Sequence, residues 1–182
     1  MKVPFIARHP GRIPAGVVCD SLVSAYDFMP TLLDYLGLKP LDMAKRPGVS
    51  FVPALLGQGF ERPGGIVVMD EYGPNRMLRD QRYKYIARYP YGPNALYDLK
   101  ADPGEQDNLL AHGGFEALEQ ELRGRLEKWF AKYVNPEIDG AREAVFGSGQ
   151  IGLAGLWGAG VSAHSCDDYI KKNPNYALYR VK

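Results

Sequence analysis

The sequence predicts a chain of the α/β class, with α+β organisation in its middle part, where a four-stranded antiparallel sheet packs on one long helix. Four short runs rich in β-branched and aromatic residues, separated by turn residues, predict the sheet. A long stretch of helical periodicity follows them and predicts the helix. An apolar run at residues 3–7 predicts one strand of a larger sheet, and the helical pattern after it predicts one helix that packs on that sheet.

Composition and charge exclude several classes of protein. The chain has 182 residues, which is enough for one domain with a sizeable core. Hydrophobic residues make up 46% and charged residues 24%, as in globular proteins, so wholesale disorder is excluded. A formal net charge of +1 indicates neither a nucleic-acid nor a membrane-surface partner. No apolar run approaches the ~18 residues of a membrane-spanning helix, and the first residues lack a secretory leader pattern.

The first part of the chain predicts a strand followed by a helix. Residues 3–7 are apolar throughout, as in a strand that is buried on both faces of a parallel sheet. Ser24 and Asp27 have the spacing of a capping box at the start of a helix. Pro30 is expected to kink or subdivide this helix, because its ring clashes with the carbonyl group four residues earlier, and Gly37 is expected to end it.

A second, short helix is predicted over residues 50–56, with Ser50 as its N-cap and Gly57 as its stop. The pattern then changes to that of strands, with Gly, Pro, Asn and Asp in the turns of an antiparallel meander. The four predicted strands are residues 66–72, 76–80, 83–89 and 95–99.

The third predicted strand places Tyr83, Tyr85 and Ala87 on one face of the sheet, because alternate residues of a strand point the same way. After the sheet, apolar residues recur at helical spacing and predict one long amphipathic helix that packs on the meander. This stripe consists of Phe115, Leu118, Leu122, Leu126, Trp129, Phe130 and Tyr133. From residue 135 the sequence is rich in glycine, which predicts an extended tail around the body.

Three patterns that could carry chemistry are weak. Residues 147–152 match G-x-G-x-x-G, but their flanks predict neither the strand nor the helix that nucleotide binding requires, so a glycine-rich loop is favoured. The histidines are dispersed and lack metal-ligand spacing, and the adjacent residues 164–167 (HSCD) are no evidence of a nucleophile site. Cys19 and Cys166 stand outside any C-x-x-C pattern. Two alternatives remain, two free thiols or one disulfide between them.

The candidate substrate-binding residues are Asp70, Glu71, Arg76 and Arg79. They lie at the ends of the first two predicted strands, where side chains can reach a neighbouring surface. In one interpretation they are solvated charges at strand ends. In the other, an arginine holds an anionic or hydroxyl-rich substrate through fork-like hydrogen bonds.

Five segments follow one another in a fixed order along the first 134 residues. They are residues 3–16 (VPFIARHPGRIPAG), 22–37 (LVSAYDFMPTLLDYLG), 48–51 (GVSF) with 55–57 (LLG), 79–86 (RDQRYKYI) and 96–109 (LYDLKADPGEQDNL). Each alone has little specificity. Taken together, they resemble the C-terminal part of a sulfatase of the arylsulfatase type, in the alkaline-phosphatase superfamily.

The resemblance implies a parent enzyme that hydrolyses sulfate esters of a sulfated small molecule or glycan. It implies that residues 1–60 are the last strand and helix of the large α/β domain. It also implies that residues 61–134 are the C-terminal subdomain, of one antiparallel sheet and one helix, and that residues 135–182 are a glycine-rich tail. The parent family uses calcium or magnesium and a formylglycine made from the first residue of C/S-x-P-x-R.

This sequence departs from the family pattern at the reactive centre. Cys19 is followed by Asp20 and Cys166 by Asp167, so neither cysteine stands in C-x-P-x-R, and no serine does. The resemblance therefore carries no catalytic residue, metal ligand or cofactor onto this chain. Because sulfate-ester cleavage needs a nucleophile and a cation, the isolated chain is predicted to be inactive.

Two hypotheses about function and partner remain open. The chain is either the C-terminal segment of a sulfatase or a non-catalytic carbohydrate- or partner-binding module derived from one. In the first case its apolar residues would pack on a missing N-terminal sulfatase domain, or the chain would self-associate through residues 1–60. The sequence predicts neither the identity of the substrate nor the localisation.

Overall fold

The computed structural model describes residues 3–38, 42, 44–70, 75–89, 93–136 and 139. The chain divides into two compact units, Met1–Ile66 and Val67–Lys182. Every helix within the described residues is too short or too polar to span a lipid bilayer. The predicted tail lies outside the described residues except for three positions, and the patterns at 147–152 and 164–167 lie outside them entirely.

The first unit begins its helical structure where the capping pattern predicts it. A 3₁₀ turn, Ala25–Asp27, leads directly into helix α1, Phe28–Tyr35. The N–H of Ser24 donates to the carboxylate of Asp27 at 2.7 Å. Helix α1 continues through Pro30, because this residue lies in the first turn, where N–H groups have no partner within the helix.

Helix α2, Val52–Leu55, is shorter than the predicted residues 50–56. Its N-cap is Phe51 rather than the predicted Ser50, although the hydroxyl of Ser50 accepts from the N–H of Val52 at 3.3 Å. Gly37 and Gly57 follow the two helices with φ of +66° and +73°. This left-handed conformation ends both helices as predicted.

Asp27 is fully buried and joins distant parts of the first unit. Its carboxylate accepts from the N–H of Val49 at 2.9 Å and forms an ion pair with Arg62. Thr31, one turn later, donates to the carbonyl oxygen of Asp27 at 2.6 Å and accepts from the N–H of Phe51 at 3.0 Å. The contacts to Val49, Phe51 and Arg62 bridge separations of 20 to 35 residues, so they hold the helix start, the residues before α2 and the end of the unit together.

The strand predicted at residues 3–7 is not formed, which corrects that prediction. The segment lies outside helices and strands, and Val3 and Ile6 are 78% and 91% exposed. A strand requires a neighbour that pairs with its backbone groups, and none of the described residues provides one. Phe5 anchors the segment through edge-to-face contacts with Phe28 and Phe51, at ring-centre distances of 6.2 and 5.5 Å.

The second unit is a four-stranded antiparallel sheet with one long helix, as predicted. The strands, in spatial and chain order, are β1 (Ile66–Met69), β2 (Asn75–Arg79), β3 (Tyr83–Arg88) and β4 (Ala95–Asp98). A 3₁₀ turn, Leu109–Ala111, precedes helix α3, Glu116–Tyr133. Leu78, Tyr85 and Leu96 lie side by side across β2, β3 and β4.

One face of the sheet and α3 enclose the core of the second unit. Its buried residues are Val67, Leu78, Tyr85, Ala87, Leu96, Leu122, Leu126 and Phe130. Tyr85 and Ala87 share this face, which confirms the predicted alternation of β3. The hydroxyl of Tyr85 donates to Glu119 at 3.2 Å and accepts from Nε of Arg123 at 3.3 Å. Burial raises the pKa of Tyr85 to about 12, so the phenol stays protonated in this core.

Replacing Asp27 should destabilise the first unit severely. The variant Asp27→Ala leaves the buried guanidinium of Arg62 without this partner, and we expect a loss of about 3–5 kcal/mol in the free energy of unfolding. Hydrogen exchange at the N–H groups of Val49 and Phe51 measures this loss of stability within the first unit. The control Asp34→Ala removes an exposed carboxylate from helix α1, which directly follows Asp27, and should cost less than about 1 kcal/mol. Equal effects of both variants would contradict this role of Asp27.

Candidate functional site

Asp70 closes the connection between β1 and β2. Its N–H donates to the carbonyl oxygen of Asn75 at 3.0 Å, and its carboxylate accepts from the side-chain amide of Asn75 at 2.5 Å. Glu71, the next predicted site residue, lies outside the described residues. Both carboxylate contacts of Asp70 to Asn75 are local, so the structure supports a turn-stabilising role for this side chain.

Arg76 is buried on the face of the sheet that carries α3, with 5% of its surface exposed. The carbon of its guanidinium lies 3.7 Å from the ring centre of Phe130 and 5.0 Å from that of Tyr89, and the group forms an ion pair with Asp139. Burial lowers the pKa of Arg76, although the group stays charged at neutral pH. This guanidinium therefore holds the end of α3 against the sheet.

Arg79 lies on the opposite face of the sheet from Arg76, because residues three apart in a strand point in opposite directions. The structure therefore does not bring the two predicted arginines together. The Nε of Arg79 is buried and forms no hydrogen bond with any described residue. A buried donor without an acceptor is costly, so Arg79 is the predicted site residue that is suited to hold an additional acceptor oxygen.

The neighbouring carboxylate, Asp80, is not available to Arg79. Its oxygens accept from the backbone N–H groups of Arg82 and Tyr83 at 3.0 and 2.8 Å and from the guanidinium of Arg125 at 2.9 Å. Burial raises the pKa of Asp80, but these donors together outweigh burial and hold that pKa below its usual value. Asp80 is thus a charged, fully engaged residue of the β2–β3 turn.

The sequence analysis missed three residues that the structure connects with Arg79 through the sheet and one ion pair. Arg79 is opposite Lys84 in the β2–β3 register, and Lys84 is opposite Tyr97 in the β3–β4 register. The ammonium group of Lys84 forms an ion pair with Glu105, which comes from the loop after β4. We call Arg79, Lys84, Tyr97 and Glu105 the Arg79 site.

The backbone of Glu105 is in the left-handed region, with φ of +56°. This conformation is uncommon for a residue other than glycine, and strained residues concentrate at binding sites and catalytic centres. The side chain of Lys84 is only 14% exposed, so its ion pair with Glu105 is largely shielded from water. The pair fixes the ammonium group on the face of the sheet that also carries Arg79, and the four residues of the site together carry a net positive charge.

The Arg79 site has the chemistry of an oxyanion receptor. A guanidinium donates two parallel hydrogen bonds to a sulfate or carboxylate, and a fixed ammonium adds a second positive charge. The phenol of Tyr97 adds one group that can donate or accept. The alternation of β3 and the short β2–β3 turn were the signals that could have indicated Lys84 from the sequence. Glu105 gave no such signal, because its position depends on a loop.

The donor set for calcium does not fit the described residues. No three of their His, Cys, Asp and Glu side chains come together as a metal ion requires. Cys19 is exposed and precedes Asp20, so its sequence context is not the one from which formylglycine is made. We therefore assign no reaction step to a calcium ion or to a formylglycine in this part of the chain.

Comparison with known proteins gives consistent results. The family described as N-sulphoglucosamine sulphohydrolase, C-terminal, matches residues 1–132. An ulvan-active sulfatase of Formosa agariphila is 31% identical over 166 residues, covering 71% of this chain and 33% of that protein. A Delta 4,5-hexuronate-2-O-sulfatase of Bacteroides thetaiotaomicron is 32% identical over 140 residues, covering 72% of this chain and 29% of that protein. The chain thus spans about a third of the length of these curated relatives.

A solved structure shares the fold. It is that of a protein in complex with its substrate D-glucosamine-2-N,6-O-disulfate, and the match has a TM-score of 0.50 and 27% sequence identity. The match covers 64% of this chain and 25% of that protein.

The two arginines of β2 should differ in their effect on stability. Arg76→Ala leaves the carboxylate of Asp139 without this ion pair and removes the stacking on Phe130, so we expect a loss of about 3 kcal/mol in the free energy of unfolding. Arg79→Ala removes a buried donor that lacks an acceptor among the described residues, so it should cost less than about 1 kcal/mol. Urea unfolding followed by circular dichroism compares them. A larger loss for Arg79→Ala would contradict this division of roles.

Proposed function

This chain belongs to the sulfatase family, whose C-terminal part it matches, and from that membership we propose that it serves as the C-terminal segment of a sulfuric-ester hydrolase. The observation that carries the proposal is the family match over residues 1–132. The antiparallel sheet and helix of the second unit agree with the fold of the solved relative. The proposed contribution of this segment is substrate binding and support of the catalytic part.

We propose sulfated sugars as the substrate class. The relatives are named for ulvan and for a hexuronate 2-O-sulfate, and the solved relative holds a glucosamine disulfate. These ligands share a sulfate group on a carbohydrate, although the ring and the position differ. An oxyanion receptor such as the Arg79 site fits the sulfate, or a carboxylate on the same sugar chain.

In the proposed binding mode the guanidinium of Arg79 donates to oxygens of the anionic group. The ion pair with Glu105 holds the ammonium of Lys84 on the face of the sheet that carries Arg79. Its positive charge then attracts the anionic group from a fixed position. Tyr97 supplies a hydroxyl for a neighbouring sugar oxygen. None of these residues acts as a nucleophile, so binding alone accelerates no hydrolysis.

Binding should depend on Arg79. A hydrogen-bonded charge pair contributes about 1.5–3 kcal/mol, so we expect Arg79→Ala to weaken binding of D-glucosamine-2-N,6-O-disulfate about 10- to 100-fold. Arg82→Ala is the matched control, because its guanidinium is exposed and already donates to Asp98 at 2.8 and 2.9 Å. Isothermal titration calorimetry, with unsulfated D-glucosamine as the second ligand, measures both variants. Equal affinity for the two sugars would exclude the proposed site.

The 182-residue chain alone should release no sulfate from ulvan. Hydrolysis requires a nucleophile in line with sulfur and a cation on the sulfate oxygens, and the described residues provide no metal-ligand cluster. Ion chromatography of released sulfate measures turnover, with the complete Formosa agariphila sulfatase as positive control. Metal-dependent release by the chain itself would refute the proposed division of labour. Binding without turnover in any combination with a catalytic segment would favour the non-catalytic binding module instead.

A further inference from the structure

The face of the sheet that does not carry α3 has positive charge at both ends of one ladder. In the β2–β3 pairing, Arg79 is opposite Lys84 at one end, and Arg88 occupies the last position at the other end. An apolar row lies between the two ends, where Met77 is opposite Ile86. Alternation along each strand and pairing across strands place all of these side chains on the same face.

We define the basic face as Met77, Arg79, Lys84, Ile86, Arg88 and Tyr97. Each of these six residues is partly exposed, whereas the residues between them in sequence are buried against α3. The basic face therefore contains the Arg79 site at one end and extends beyond it along the ladder.

Arg88 is held in place at its end of the ladder. Its backbone N–H donates to the side-chain oxygen of Asn94 at 3.1 Å, and its guanidinium donates to the carbonyl oxygen of Pro93 at 2.5 Å. Among the described residues it forms no ion pair. A carbonyl oxygen does not neutralise a charge, and one hydrogen bond occupies only part of the five-donor fork. The guanidinium therefore keeps donors and a positive charge for an anionic group.

Two carboxylates border the basic face. Glu105 is paired with Lys84 at one end. At the other end Asn75, which is opposite Arg88, binds the carboxylate of Asp70 at 2.5 Å through its side-chain amide. Three cations thus stand against two carboxylates that already have partners, so the basic face keeps a net positive charge and favours anionic ligands.

The two charged ends are too far apart for one small anion. Lys84 and Arg88 are four residues apart in β3, which corresponds to about 13 Å at the rise of an antiparallel strand. The sulfates on a single sugar ring lie closer together than this. A chain of linked rings with an anionic group on alternate rings covers such a span, and its less polar ring faces then lie over Met77 and Ile86.

We propose that the basic face binds an oligosaccharide segment of a sulfated polymer rather than a single sulfated sugar. One anionic group binds at Arg79 and Lys84, and a second group, from a ring further along the chain, binds at Arg88. This proposal rests on the proposed function, which assigns only the first anionic group to the Arg79 site. It narrows the substrate class to polymers with regularly repeated sulfates or carboxylates.

The test is isothermal titration calorimetry of the 182-residue chain with chondroitin 6-sulfate oligosaccharides of two, four and eight sugars. Affinity should rise about tenfold from two to four sugars, because the second anionic contact becomes intramolecular. From four to eight sugars it should rise less than about threefold, because both ends are already occupied. Equal affinity for two and four sugars, or a steady rise through eight, would overturn the proposal, since a steady rise indicates non-specific attraction.

Variants assign the second contact to Arg88. Arg88→Gln removes the charge but keeps a side-chain donor for the carbonyl oxygen of Pro93, and urea unfolding checks that its stability is unchanged. It should weaken tetrasaccharide binding about tenfold and leave binding of D-glucosamine-2-N,6-O-disulfate within about twofold. Arg88→Lys, which keeps the charge, should restore most of the affinity. The control Lys128→Ala removes an exposed cation from α3, on the other side of the sheet, and should change neither affinity.

The outcomes separate this proposal from the proposed function. Tetrasaccharide binding that Arg88→Gln leaves unchanged, or that Lys128→Ala weakens equally, would overturn the proposal. If D-glucosamine-2-N,6-O-disulfate still binds through Arg79 in that case, the proposed function stands. If neither ligand depends on Arg79, the Arg79 site fails and the longer binding face fails with it.

Discussion

Successive side chains of a β-strand point to opposite faces of the sheet, and the second unit depends on this constraint. In β2 the constraint sends Arg76 into the core against Phe130 and Arg79 to the other face, beside Lys84. Two residues of the same type, three positions apart, therefore have different environments. One is stacked and paired with a carboxylate, and the other keeps a buried donor without an acceptor among the described residues. The five residues of β2 thus carry a structural arginine on one face and, on the other, the arginine for which we propose a binding role.

Local pattern was sufficient for most of the fold. The helical stripe of α3 and the four strands have strong periodicity, and turn residues separate the strands, so element type and order followed from the sequence. The strand predicted at residues 3–7 failed for a different reason. Its apolar composition is that of a strand, but strand formation depends on a neighbour that lies elsewhere in sequence, and the described residues contain none. The apolar pattern of residues 3–7 therefore indicates that the segment can form a strand, but whether it does so depends on a partner strand.

The site was predictable only in part, because it depends on register and on long-range contacts. Position at a strand end indicated Arg79, but its separation from Arg76 follows from the pleat, and its neighbour Lys84 follows from the pairing of β2 with β3. Asp27 illustrates the same limit in the first unit. Its capping role could be identified from Ser24, three residues away, whereas its ion pair with Arg62 spans 35 residues and left no local signal.

Glu105 combines an unfavourable backbone conformation with a favourable side-chain contact, and this has a consequence for protein engineering. Glycine at this position would relieve the backbone, since glycine adopts positive φ freely, and a search for thermostable variants would favour it. The same replacement would release the ammonium of Lys84 from its ion pair. Under the proposed function, selection for heat resistance alone would therefore weaken ligand recognition at this loop.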